Sequence, residues 1–234
     1  MIANIRKNMA DSPEYARAMP FLVFLLFTFA PMITKAGGMI YWAYVAKTFI
    51  CAWLVLEMRR FVPEMRWSFS WEAVAVGVIV FVMWVGIDPF YPKFNFLMKD
   101  TEDSIWNPFK QFGGTPALAW TLIVIRIFGM TFVVPPLEEV FFRSLVYRFL
   151  VRVDFRAIAL NHWDGVAFVT TSLIFASEHF QWLAGILCGF AYQWLVLRKN
   201  RLGDAMTAHA ITNFLLGVYV VWKSSADPLV WKFF

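Results

Sequence analysis

Glu138 and Glu139 stand side by side, with Arg143 one helical turn further on, between two strongly apolar stretches of a chain that is 60% hydrophobic. Carboxylates and a guanidinium are costly to hold at membrane depth, so such a cluster marks chemistry by default. On a helix drawn at about 100° per residue, Glu138 shares a face with Phe142, Leu145 and Phe149, while Glu139 lies in line with Arg143. One carboxyl then meets an aromatic surface and the other a cation. Paired carboxyls in unlike surroundings are a recurring way to divide acid and base duties. The plainer reading is a helix start, where carboxylates are favourable just after Pro135 and Pro136.

Two more polar sites follow in apolar segments, Phe175-Ala176-Ser177-Glu178-His179 and His209-Ala210-Ile211-Thr212-Asn213, and they hold two of the chain's three histidines. His209 and Asn213 are four residues apart and share a helix face with Met206 and Leu216. Such a pair can ligate a metal, donate hydrogen bonds to a developing oxyanion, or simply tie two helices together. His179 shares its face with Ser172, Phe175 and Ala176, where a lone histidine is more often structural, and the neighbouring Glu178 points elsewhere. His162, in a polar loop, reads as a solvated surface residue. Lys47 and Arg126 fall near the middle of apolar segments, each able to pair with a carboxylate such as Glu139 or Glu178 or to line a cavity.

The elements that must position these groups are membrane helices. Only 16% of the 234 residues are charged, against roughly 25% in a soluble domain, and mean hydropathy is +0.60. The apolar residues run together at about 19–34, 37–58, 70–87, 116–135, 137–151, 165–180, 181–198 and 204–222. The expected fold is an all-α integral membrane protein, a polytopic bundle of seven to eight hydrophobic segments around an intramembrane polar cavity, in one domain over 1–234. The net charge of +5 comes from short basic clusters between apolar runs (Arg59, Arg60 and Arg66; Arg152 and Arg156; Arg198, Lys199 and Arg201), which fits juxtamembrane loops and argues against nucleic acid. Cys51 and Cys188, both inside apolar runs, give no disulfide framework. The residues after the first apolar run, Thr34-Lys35-Ala36-Gly37, make a poor signal-peptide site, so a retained first span is expected.

Counting positive residues puts all three basic loops on the cytoplasmic side, which would force segment 137–151 to enter and leave on one face or to lie in the interface. Full-length spans would also set His179 and His209 at opposite faces. Broken or half-length helices lining a cavity would reconcile both.

Taken together and in order, Glu138-Glu139-x-x-x-Arg143, Phe175-x-x-x-His179 and His209-x-x-x-Asn213 resemble the CPBP family, intramembrane proteases related to the type II CAAX prenyl endopeptidase. The resemblance covers about 116–222. The run Trp182-Leu183-Ala184-Gly185-Ile186-Leu187-Cys188-Gly189, with His209-Ala210-Ile211-Thr212-Asn213, looks like the bacterial subgroup found alongside exosortase systems. It implies that Glu138 activates water, His179 orients it, and His209 with Asn213 stabilises the oxyanion. Glu139, Arg143 and Phe175 would support them. No His-Glu-x-x-His is present, so the chain is not a zincin, and no cofactor is required; His179 and His209 with a carboxylate are the candidate ligands if zinc is used.

The function expected first is an intramembrane endopeptidase acting on a membrane-associated, CAAX-type protein or peptide in a bacterial inner membrane. A CPBP-like peptide binder or scaffold without catalysis is the second reading, and a transporter using the charges as a relay the third. Three intact polar sites favour catalysis over binding, and the absence of a visible inverted repeat argues against transport.

Overall fold

The computed structural model describes residues 2–34, 38–93 and 106–234; residues 35–37 of the poor cleavage site and 94–105 of the polar loop lie outside the described residues. The described chain is helical, with no strand. Its helices are α1 (Ile2–Asp11), α2 (Pro13–Thr34), α3 (Met39–Met58), α4 (Trp71–Ile87), α5 (Pro108–Phe112), α6 (Pro116–Val151), α7 (Gly165–Ala176), α8 (Trp182–Lys199) and α9 (Gly203–Lys223). Their ends follow local chemistry. The Ser70 hydroxyl accepts from Ala73 N (3.2 Å) to start α4, and the Asp164 carboxylate from Ala167 N (2.8 Å) to start α7. Asn200 closes α8 in the left-handed region at φ 51°.

Among the described residues, four helices are long and apolar enough to cross a membrane: Met39–Met58, Trp71–Phe90, Pro116–Val151 and Gly203–Lys223. The expected seven to eight segments are therefore not all separate spans. Segments 116–135 and 137–151 are one helix of 36 residues, running through Pro135 and Pro136. It survives the prolines by widening into π turns at Gly129–Val133 and Val140–Val146. Val134 N bonds Gly129 O in the i+5 register. Pro135 would donate next and has no N–H, so the carbonyl of Met130 is left for another partner. The wider turns also spoil the helix face drawn from the sequence: Phe142 and Leu145 are buried below Glu138, but Phe149 is 46% exposed.

One continuous α6 removes the topological conflict, because residues 116–151 form one candidate span rather than two. The basic loops gather at one end of the bundle and touch one another. The Arg148 guanidinium donates to Glu64 (2.8 Å), Asn161 N donates to the Asn200 side chain (3.2 Å), and Arg198 donates to Glu72 (2.8 Å), which also pairs with Lys199. The second expectation of broken elements is met by α7, which has only 12 residues, rises about 18 Å and ends short of a ~30 Å hydrocarbon core.

Glu64 sits outside the spans at this end, and one of its oxygens accepts from Arg17, Arg148 and Ser144. Burial alone would raise its carboxyl pKa, but Arg17 and the Ser144 hydroxyl more than offset this and hold it below the ordinary value of 4.5. A depressed carboxyl stabilises the fold above its unfolded pKa, and that contribution is lost as pH falls through the folded value. Thermal melting in detergent should therefore drop as pH is taken below about 4.5, and Glu64→Gln should flatten that limb.

The α4–α9 seam is set by a close backbone approach. A Cβ on Gly77 would meet the Ala208 carbonyl at 2.6 Å and Ile211 Cβ at 2.9 Å, and the Thr212 hydroxyl donates to Gly77 O (2.8 Å). Small residues of this kind let membrane helices approach. Gly77→Ala must push α9 away, with an expected cost at or above the ~1–3 kcal/mol of ordinary overpacking and a clear fall in melting temperature.

Candidate active site

α9 carries His209 buried at 4% exposure, one turn from Asn213. The His209 ring is gripped on both sides. Its Nδ1 lies 2.9 Å from Glu139 Oε1, and Tyr192 of α8 stacks on it with centroids 5.1 Å apart. The Tyr192 hydroxyl in turn donates to Thr212 Oγ1 (2.8 Å). A carboxylate on Nδ1 decides which nitrogen looks away from it, so His209 presents Nε2 to Glu138, whose Oε2 is 3.9 Å distant. That Glu138 oxygen is buried and has no hydrogen-bond partner.

Glu139 is completely buried and serves two partners at once. One oxygen holds His209, and the other lies 3.2 Å from Arg143 Nε. The pair with Arg143 is electrostatic rather than an aligned hydrogen bond, since none of the three guanidinium nitrogens has a hydrogen-bond partner. Arg143 is held instead by ring faces: its guanidinium carbon is 4.4 Å from the centroid of Phe175 and 5.7 Å from that of Phe142.

Phe175 is the hub. Its ring also meets His179 at 4.8 Å and His209 at 6.3 Å, and its carbonyl receives His179 Nδ1 at 3.0 Å. A carbonyl only accepts, so His179 carries its proton on Nδ1 and offers Nε2 as an acceptor. α7 stops at Ala176, so His179 lies in the turn beyond it rather than on the helix face with Ser172, and Trp84 packs edge-on at 5.3 Å. Asn213 donates its amide to Met130 O at 2.7 Å, filling the carbonyl that Pro135 leaves open. The amide's second N–H remains to be given elsewhere.

His179, His209, Asn213 and Phe175 line one cavity of about 220 Å³. Glu138 is not among its lining residues, but its Oε2 is 3.9 Å from Nε2 of His209, which is. One sequence expectation changes here, and an alternative left open for two residues is narrowed. Glu178, expected to point elsewhere, lines the cavity. Among the described residues neither Lys47 nor Arg126 pairs with a carboxylate. Lys47 donates to Thr28 (3.2 Å) above the rings of Phe24 and Tyr44, and Arg126 lies over Tyr44 and Trp106, each at 4.4 Å. His162 is exposed, as expected.

Residues missed from the sequence are Tyr192, Thr212 and Trp84 around the histidines, and Lys232 and Phe233 at the rim. Only Cys188 and Tyr192, four apart on α8 and both facing the cavity, carried a usable spacing signal. Among the described residues no three His, Cys, Asp or Glu side chains converge as a metal site; both histidines have Nδ1 engaged and leave Nε2 as the open nitrogen. A three-ligand zinc centre would need a third donor beside His179 and His209, and none converges with them among the described residues.

Residues 119–215 match the family model for the Type II CAAX prenyl endopeptidase Rce1-like proteins. The matched segment contains all of the polar motifs and the side chains that surround His209; Trp84, which packs on His179, lies outside it. No curated protein and no solved structure matches the chain. The match agrees with the family resemblance of the motifs and supports a peptidase set in a membrane.

Proposed function

We propose that this chain, with a type II CAAX prenyl endopeptidase-like segment at its core, is a multi-pass intramembrane endopeptidase that cleaves a membrane-associated, CAAX-type protein substrate by carboxylate-activated water. The observation that carries the reading is the unpartnered Glu138 oxygen 3.9 Å from His209 Nε2, beside a cavity that also holds His179 and Asn213.

Glu138 accepts a proton from water as the oxygen attacks the peptide carbonyl carbon. The acceptor Nε2 of His179 holds that water in line. The carbonyl π electrons move onto oxygen, and the oxyanion is met by the free N–H of Asn213 and by His209 when Nε2 carries a proton. Glu138 then returns its proton to the amine as the C–N bond breaks. Glu139 acts as a positioning residue, through His209. By the positive-inside rule the end bearing the three basic loops faces the cytoplasm of a bacterial inner membrane.

The test is a cleavage assay on purified protein in detergent with candidate tail peptides, resolving products by mass. A carboxylate–histidine site should keep its activity through prolonged chelation. Activity lost to chelators and restored by Zn²⁺, with stoichiometric zinc that disappears in His209→Ala, would overturn the metal-free mechanism.

A further inference from the structure

Away from the cavity, at the end of the bundle bearing the basic loops, lies a second pocket of about 340 Å³ that the proposed proteolysis does not use. Arg17 of α2, Arg148 of α6 and Arg156 from the following loop line it, against one carboxylate, Glu64. Arg17 and Arg148 are buried at 3% and 7% exposure. Both guanidiniums lie over the ring of buried Phe155, at 5.1 and 5.2 Å from its centroid. Arg17 is further fixed by Pro13 O (3.0 Å) and Ser144 Oγ (2.9 Å), and Arg148 by Ser144 O (2.6 Å). These two forks are therefore pre-set by packing rather than free to swing, and Arg17 keeps N–H groups uncommitted.

A single carboxylate whose one oxygen serves both buried arginines leaves the pocket with an excess of positive charge in a partly desolvated place. Met9 and Phe61 add apolar wall. Rigid guanidinium forks match phosphate oxygens, and the apolar wall suits the glycerol and first methylenes of a lipid at the bilayer boundary. We propose that this pocket binds the phosphate of an anionic phospholipid headgroup, anchoring α1, α2 and α6 to the leaflet on that side.

The test uses the intact protein in phosphatidylcholine bilayers with and without phosphatidylglycerol, followed by native mass spectrometry of the lipid retained on release. Wild type should keep phosphatidylglycerol in preference to phosphatidylcholine. Arg156 is exposed, so Arg156→Gln should fold normally and hold phosphatidylglycerol about five-fold more weakly, the factor expected for one interfacial arginine. Arg59→Gln, an exposed arginine outside the pocket lining, should retain it as wild type does. Equal retention of the two lipids by wild type would show no headgroup preference, and equal losses in the two variants would reduce the effect to general surface charge; either result would overturn the proposal. A parallel arm adds inorganic phosphate to protein in neutral detergent. Thermal stabilisation by phosphate without lipid retention would make this a soluble-anion site and also overturn the lipid assignment. Peptide cleavage can succeed or fail independently of either result.

Discussion

Glu138→Gln should reduce peptide cleavage by about 10²–10⁴-fold while leaving expression and melting temperature close to wild type. The amide keeps the size of the carboxyl but cannot take a proton from water. Glu138 is buried, and its Oε2 makes no hydrogen bond, so the substitution breaks no hydrogen bond of that atom. A rate and a melting curve measured on the same preparation separate the two effects. Retained activity above about one per cent would move the base elsewhere, with Glu178 on the cavity wall the next carboxyl to examine.

Arg143→Ala should cost stability first and activity as a result. Its guanidinium is fully enclosed and faces Glu139, so removal leaves a buried carboxylate whose remaining partner is His209. Breaking one half of a buried pair costs about 3–5 kcal/mol in a soluble interior, and here the stacking on Phe175 is lost as well. The double variant with Glu139→Gln should be milder, because no charge is stranded and the amide oxygen still accepts from His209 Nδ1. Melting of both variants in detergent decides this, and a double-variant cycle gives the coupling. An inactive Arg143→Ala with an unchanged melting curve would instead put Arg143 in direct contact with substrate.

The basis of these predictions divides between chain and fold. Membrane helices, the place of the three polar motifs and the Glu139–Arg143 pair were legible in the sequence, because each depends on local composition or on spacing within one helical turn. The span count was not. Two prolines read as a break, but an α-helix can pass through them by widening into π turns, and hydropathy carries no sign of a change in turn width. That widening also undid the face drawn as far as Phe149. Nor could spacing reveal that Glu139, 70 residues before His209, grips its Nδ1, or that the amide of Asn213 caps the carbonyl that Pro135 leaves open. Glu178 was misplaced, and the partners of Lys47 and Arg126 stayed open, for the same reason. A charged residue in an apolar run announces that it needs a partner, but ring face, carboxylate and cavity are supplied by other helices. Local periodicity determined which residues lie at membrane depth, and only the packing of α4, α6, α8 and α9 decided which of them meet.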